Sequence, residues 1–113
     1  MEKVTTGVEH EIKVFHLHGN LVGMDETQAF QESFRDLLER QYRKLVLDFS
    51  DVRFVNSTGL GEIIAAHTSS VRRGGRMVLC NLNNSVSSLL VITGLDRILE
   101  VRKTREEAIE ALT

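Results

Sequence analysis

Short apolar runs alternate along this chain with longer stretches of helical periodicity, and this alternation restricts the fold more than any other feature. Leu45-Val46-Leu47 with Phe49, and Met77-Val78-Leu79-Cys80, are nearly continuous apolar runs, which are typical of parallel strands covered on both faces. Strands that alternate with helices predict parallel βαβ units joined by right-handed crossovers. The intervening stretches carry apolar residues at helical spacing, as in Phe30, Phe34, Leu37 and Leu38.

The predicted fold class is α/β, with the element order β-β-α-β-α-β-α-β-α around a central mixed β-sheet and with helices packed on it. Two short strands at about 3–9 and 11–18 form an antiparallel hairpin at one edge. A last short strand is predicted at 98–101. The whole chain, residues 1–113, is predicted to be a single domain.

Helix boundaries are indicated by capping residues. One helix is predicted from about 84 to 93, ended by Gly94, and Thr104 with Glu107 has the capping-box spacing that opens the last helix. An earlier helix follows the loop at 56–61, and its predicted buried stripe consists of Leu60, Ile63, Ile64, His67 and Val71.

Composition excludes several classes of function. The formal net charge is -2, from 14 Lys+Arg and 16 Asp+Glu, and no block of one sign indicates binding to nucleic acid or to an anionic membrane. No apolar run approaches the roughly 20 residues of a spanning helix, and the N-terminus lacks the apolar stretch of a secretory signal. Cys80 is the single cysteine, which favours a reducing compartment. The predicted location is cytoplasmic.

Gly59-Leu60-Gly61, between a strand and a helix, invites a nucleotide-binding interpretation. The dinucleotide fingerprint requires a third small residue at position 64, where Ile64 stands, and the chain contains no phosphate-binding G-x-x-x-x-G-K-[ST] segment. These absences weigh against a nucleotide-binding sensor module, which stays an alternative from a different class.

The same loop superficially resembles a hydrolase nucleophile elbow. Val55 replaces the first glycine of that motif. The only histidine after Ser57 is His67, three turns along the same helix, so it cannot act as the base of a catalytic triad. The chain is therefore predicted not to be an enzyme.

His16 and His18 fall on one strand face and would need a third ligand to hold a metal ion. No further His or Cys is near them in sequence, so no metal is predicted.

Ser57 lies at the start of a helix, beyond the carboxyl end of a strand, where the working loops of such sheets lie. Asn56, Ser57 and Thr58 are each suitable helix caps, so Ser57 has a purely structural interpretation. It also has a functional one: a phosphate there is favoured by the helix N-terminus, yet it places about -1.5 to -2 charges in any docking surface. A phosphate on Ser57 is therefore expected to alter the binding of a partner and to leave the fold intact.

The segment from Asp48 to Gly61, Asp-Phe-Ser-Asp-Val-Arg-Phe-Val-Asn-Ser-Thr-Gly-Leu-Gly, resembles the signature of STAS domains, specifically the bacterial anti-anti-sigma factors (anti-sigma factor antagonists). The resemblance covers nearly the whole chain, in order. It continues in Gly19-Asn20-Leu21, in Gly74–Leu79 and in Thr93–Ile98.

The resemblance implies a STAS fold and a partner-switching function. Ser57 corresponds to the serine phosphorylated by an anti-sigma factor that is also a serine kinase of the histidine-kinase-like ATPase fold. The unphosphorylated form binds that kinase and frees its target, phosphorylation dissociates the complex, and a metal-dependent serine phosphatase resets it. Mg-ATP belongs to the kinase, so no cofactor is expected in this chain. The implied partner-binding residues are Asn20, Asn56, Thr58, Gly59, Leu60, Gly61 and Glu62.

Two positions depart from the family pattern. Asn56 and Val22 stand where the family often has Asp, which leaves open the contacts that those carboxylates carry. Thr58 offers a second acceptor hydroxyl beside Ser57. The alternative function within the family is a constitutive STAS scaffold or transporter-associated subunit, in which Ser57 is only a helix cap.

Overall fold

The computed structural model of the protein describes residues 10–21 and 24–113. The predicted alternation of strands and helices is confirmed, and the strand predicted at 11–18 is β1, whereas the strand predicted at 3–9 lies outside the described residues, as does Val22. In chain order the elements are β1 (Ile12–His16), α1 (Met24–Glu39), β2 (Lys44–Asp48), α2 (Ser57–Arg72), β3 (Arg76–Cys80), α3 (Asn84–Thr93), a 3₁₀ turn (Leu95–Arg97), β4 (Glu100–Arg102) and α4 (Arg105–Leu112).

The sheet formed by the described strands has the spatial order β1-β2-β3-β4, and every pairing in it is parallel. The inner strand β2 is covered on both faces, as its apolar run predicts, with Leu45, Val46 and Leu47 fully buried. Because successive side chains of a strand point to opposite faces, Leu45 and Leu47 enter the larger core, to which α1 and α2 contribute. Val46 enters a smaller core completed by Ala108 and Leu112 of α4.

Helix ends follow their capping residues. Helix α3 spans the predicted residues and ends at Gly94, whose φ of 77° is in the left-handed region that glycine tolerates best. Thr104 is the N-cap of α4, and its Oγ1 accepts a hydrogen bond from the Glu107 N–H at 3.1 Å. The Glu107 carboxylate accepts in return from the N–H of Lys103 at 3.2 Å, one residue before the position that a strict capping box uses.

The last strand begins later than predicted. Residues 95–97 form the 3₁₀ turn, so Ile98 lies outside the sheet with 58% of its surface exposed, and β4 begins at Glu100. The apolar character of Ile98 therefore gave a wrong start for this strand.

The predicted buried stripe of α2 is only partly confirmed. Leu60 and Ile63 are buried, but Ile64 and Val71 are exposed by 38% and 54%, and His67 is half-buried. The buried face continues through smaller side chains, because α2 packs against both α1 and β3 and the positions that face them hold Gly59, Ala66 and Ser70.

Within residues 10–21 and 24–113, no helix has the length and apolar character that crossing a bilayer requires.

Candidate functional site

The loop between β2 and α2 is held in place by the segment that follows β1. The Asn20 side-chain oxygen accepts hydrogen bonds from the backbone N–H of Arg53 at 2.8 Å and of Phe54 at 3.0 Å. Asn20 was predicted to bind a partner. The structure shows that its amide oxygen is engaged inside the protein, where it fixes the path of the chain into α2.

Leu21 also holds the loop between β2 and α2 in place. It pairs with Val55 in an isolated parallel bridge, and its carbonyl accepts from the N–H of Asn56 at 3.2 Å. A methyl group on Gly59 would lie 2.2 Å from the Leu21 carbonyl oxygen, so only glycine allows this approach.

Asn56, and not Ser57, caps α2. Asn56 has extended backbone angles, and its Oδ1 accepts from the Gly59 N–H at 2.9 Å. Ser57 is consequently the first helical residue, with an exposed side chain and no hydrogen bond from its hydroxyl to any residue in the described part of the chain. The interpretation of Ser57 as the helix cap is therefore wrong, because the bridge at Leu21 places the helix start one residue earlier.

Residues that share a helix face with Ser57 form an exposed stripe along α2. Positions four and seven residues beyond a helical residue lie on its face, which here are Gly61 and Ile64. We call this set the α2 outer stripe: Ser57, Gly61, Ile64, Thr68 and Val71. All five are exposed. Phe54, three residues before Ser57, adds a ring that is 59% exposed. The α2 outer stripe thus places the Ser57 hydroxyl on the same helix face as the exposed apolar side chains of Ile64 and Val71, a surface of the kind that a partner can cover.

The remaining predicted partner-binding residues divide by burial. Thr58 and Gly61 are exposed and Glu62 is half-buried, whereas Gly59 and Leu60 are buried. Gly59 and Leu60 thus support the loop from inside in the free chain, and their role in partner binding stays a prediction. Sequence reasoning missed Phe54 and placed Ile64 in the core; an apolar residue in a loop was the available signal for Phe54.

A buried carboxylate anchors the same edge of the sheet. Asp48 ends β2 with 2% of its surface exposed. Its oxygens accept from Asn81 Nδ2 at 2.9 Å, from the Ser50 N–H at 3.0 Å and from Arg105 at 2.7 Å. Burial alone would raise the pKa of Asp48, but the hydrogen bonds from Asn81, Arg105 and Ser50 outweigh it and hold the pKa well below its usual range. The charged form joins the ends of β2 and β3 to the start of α4.

Two histidines and a second carboxylate lie beside Asp48. His16 Nε2 is 2.8 Å from an Asp51 oxygen, and His16 Nδ1 is 3.5 Å from Asp48. The hydrogen bond to Asp51 raises the pKa of His16, and partial burial of the ring opposes this. The His18 ring lies against that of His16, with centroids 4.8 Å apart.

The fold and the loop define a protein class. The model of the STAS domain family matches residues 3–108, so the chain belongs to the STAS domain family.

Two relatives have closely related names. A Thermotoga neapolitana protein, provisionally named an anti-sigma factor antagonist, is 38% identical over 77 residues, which cover 68% of each chain. The anti-sigma F factor antagonist of Paenibacillus polymyxa is 29% identical over 97 residues, covering 86% of this chain and 77% of its own.

Solved structures agree on the fold. The Thermotoga maritima protein TM1081, also provisionally named an anti-sigma factor antagonist, superposes with a TM-score of 0.79 at 31% identity, over 88% of this chain and 86% of its own. Two more distant likenesses show the fold alone. One is the Vibrio cholerae SulP transporter STAS domain (TM-score 0.73, 24% identity, 89% and 80% covered); the other is unphosphorylated SpoIIAA, an anti-sigma factor antagonist (0.69, 19%, 98% and 94%).

Proposed function

We propose that the protein is an anti-sigma factor antagonist that works by partner switching, with Ser57 as the phosphorylated residue. The unphosphorylated form binds an anti-sigma factor that is also a serine kinase of the histidine-kinase-like ATPase fold, and so frees that factor's target. Phosphorylation of Ser57 dissociates the complex, and a metal-dependent serine phosphatase reverses it.

The position of Ser57 carries this proposal. Its hydroxyl is exposed at the first residue of α2, and Asn56 already performs the capping. The stability of the helix therefore does not require the Ser57 side chain, which leaves it available for modification by a partner. The names of the relatives support the antagonist role, since they describe proteins that oppose anti-sigma factors.

The α2 outer stripe explains how one phosphate would end the interaction. A partner that covers Ile64 and Phe54 removes water from the start of α2. A phosphate on Ser57 has about -1.5 to -2 charges, and a charge without a partner is costly to desolvate. In the free protein, the N-terminus of α2 stabilises the same phosphate because the first N–H groups of a helix have no intrahelical acceptor. Phosphorylation is thus expected to change binding and to spare the fold.

In this proposal the chain itself is not an enzyme and functions in the cytoplasm, where the kinase obtains ATP. Cys80 is a free, buried cysteine, and burial raises the pKa of its thiol to about 11. Such a thiol stays protonated and unreactive at neutral pH, which is compatible with a reducing compartment.

The test measures the affinity of purified variants for the kinase. Ser57→Ala should bind like the native protein but accept no phosphate, and Ser57→Asp should bind at least tenfold more weakly, a difference of about 1.4 kcal/mol. Ser57→Asn is the matched control, because it has the size of Asp without the charge, and it should bind nearly as well as Ser57→Ala.

A second control moves the charge by one residue. Thr58→Asp points about 100° away from Ser57 around the helix, so a smaller loss of affinity is expected. Equal affinities for Ser57→Asp and Ser57→Asn would contradict the charge mechanism. Phosphate found on Thr58 alone, by fragmentation of the intact protein, would reassign the acceptor.

The second candidate is a constitutive scaffold or transporter-associated subunit. The SulP transporter STAS domain shares the fold of this chain, so the fold is compatible with this candidate as well as with the first. In this case the α2 outer stripe docks permanently and Ser57 is never modified. Stable co-purification with a membrane transporter, together with unmodified Ser57 in cells under several growth conditions, would select this candidate.

A further inference from the structure

The carboxyl edge of the sheet has a cluster of metal-ligating side chains that the proposed function does not use. His16 ends β1, His18 lies two residues further on, and Asp51 lies in the loop between β2 and α2. One ligand atom of each residue lies within 4.8 Å of the others. The sequence indicates the two histidines but not a third ligand, because Asp51 is 35 residues from His16 and reaches it only through the pairing of β1 with β2.

Two separations in this cluster bracket the spacing that a small tetrahedral ion requires. His16 Nε2 is 2.8 Å and His18 Nδ1 is 4.0 Å from the same Asp51 oxygen. Ligand atoms about 2.0–2.2 Å from a tetrahedral zinc ion are roughly 3.4 Å apart, which lies between these two values. Because the ligand atoms of the three residues are up to 4.8 Å apart, binding an ion requires the side chains to move closer together. His18 and Asp51 are free to do so, since their side chains are 82% and 59% exposed.

A carboxylate lies on the far side of the His16 ring from Asp51, as the outer carboxylates of metal-bound histidines do. Its Nδ1 faces the buried Asp48 at 3.5 Å, which leaves Nε2 directed towards Asp51. Asp48 is itself fixed by Asn81 and Arg105. Asp48 therefore lies close enough to His16 to take the outer-shell position when an ion binds, once the 3.5 Å separation shortens to a hydrogen bond.

The donor set determines the class of metal. Two imidazole nitrogens and one carboxylate oxygen match the ligands of zinc and similar transition ions, whereas magnesium and calcium prefer oxygen ligands. We propose that His16, His18 and Asp51 bind one divalent transition-metal ion of the zinc type, with a fourth position open to water.

The site joins the two segments that also frame the phosphoacceptor loop. Asn20 connects the segment after β1 to the N–H groups of Arg53 and Phe54, and the ion connects the same segments through His18 and Asp51. Metal binding is therefore expected to slow amide hydrogen exchange at Arg53 and Phe54, without any requirement for phosphorylation of Ser57.

The experiment titrates metal-free protein that has no affinity tag with zinc chloride, and follows heat and histidine side-chain ¹⁵N shifts. The expected result is one zinc ion per chain, with shifts at His16 and His18. The His18→Ala variant, at a highly exposed position that does not threaten the fold, should bind zinc at least about tenfold more weakly, the lower bound measured for loss of an outer-shell partner.

Matched controls test whether zinc binds at His16, His18 and Asp51. His10→Ala removes an exposed histidine outside the cluster and should leave zinc affinity unchanged, and magnesium chloride should produce no comparable binding. The proposal is overturned if the native protein does not bind zinc, if His18→Ala binds it as tightly as native protein, or if the shifted histidines are His10 and His67. None of these outcomes depends on the identity of the partner kinase.

Discussion

The N-termini of α2 and α4 are both capped by a side chain, yet they are stabilised in opposite ways. Helix α4 has Glu106 and Glu107 in its first turn, and its first residue, Arg105, pairs with the buried Asp48. Helix α2 has no acidic residue in its first turn. It is held instead by the close approach of Gly59 to Leu21.

This difference teaches where a new charge can be accommodated. Carboxylates near a helix N-terminus offset the partial positive charge there, and α4 supplies its own in Glu106 and Glu107. Helix α2 has no carboxylate in its first turn, so its N-terminus can interact with an added anion, and the exposed side chains of Ile64 and Val71 lie further along the Ser57 face. The start of α2 is therefore held by close packing and the start of α4 by charged groups. We expect substitutions that add volume to destabilise α2 most, and added charge to affect the two helices differently.

The largest expected effect on stability comes from adding volume at the start of α2. Gly59→Ala would place a methyl group 2.2 Å from the Leu21 carbonyl oxygen and 2.7 Å from Leu21 Cβ. Because the obstacle is mainly backbone, relaxation is costly, and the free energy of unfolding should fall by about 3 kcal/mol, the upper part of the range for overpacking. Urea denaturation measures it.

Gly61→Ala is the control on the same helix. A methyl group there meets nothing within 4 Å, so the lower backbone entropy of alanine should raise the free energy of unfolding by about 0.5–1 kcal/mol. Equal destabilisation by both variants would show that α2 requires helix-breaking glycines for some reason other than the contact with Leu21.

The second-largest expected effect is the loss of the N-cap of α2, which distinguishes Asn56 from Ser57. Asn56→Ala should cost about 1 kcal/mol, whereas Ser57→Ala should change stability very little, because only Asn56 accepts the Gly59 N–H. A loss with Ser57→Ala as large as that with Asn56→Ala would restore the interpretation of Ser57 as a cap.

Adding a charge to each cap sharpens the comparison. Asn56→Asp retains an acceptor oxygen and supplies the carboxylate that α2 lacks, so we expect a gain of about 0.3–1 kcal/mol at low salt, which decreases as salt is added. Thr104→Asp in α4 should gain less, because Glu106 and Glu107 already occupy that first turn. Denaturation of both variants at two salt concentrations measures the difference.

Local signals were sufficient for some of these features. The boundaries of α3 and the cap of α4 follow from Gly94 and Thr104, which act within one turn of their own positions. The burial of β2 follows from its continuous apolar run. Each of these depends on contacts close in sequence or on hydrophobicity alone.

The features that sequence reasoning misplaced depend on distant partners. Leu60, Ile63 and Ile64 lie within one arc of α2, and only the packing of α1 and β3 decides that Ile64 faces outwards. Asn56 and Ser57 are equally good caps by local rules, and the bridge of Leu21 to Val55 selects between them. Asp51 reaches His16 only because β1 pairs with β2.

The smallest expected effect is a pH dependence at the far end of α4. Arg76 donates to the carbonyl of Ala111 in the last turn of α4 and, through Nε at 3.0 Å, to Glu100. The hydrogen bond from Arg76 lowers the pKa of Glu100 from its ordinary 4.5.

A carboxyl with a lowered pKa in the folded state contributes stability above its unfolded pKa and loses it as pH falls through the folded pKa. Both side chains are substantially exposed, so screening limits the contribution to about 0.5 kcal/mol. Native protein should therefore lose this amount relative to Glu100→Gln between pH 5 and strongly acidic conditions, by urea denaturation at each pH. A constant difference between the two proteins over that range would mean that Arg76 stabilises α4 through Ala111 alone.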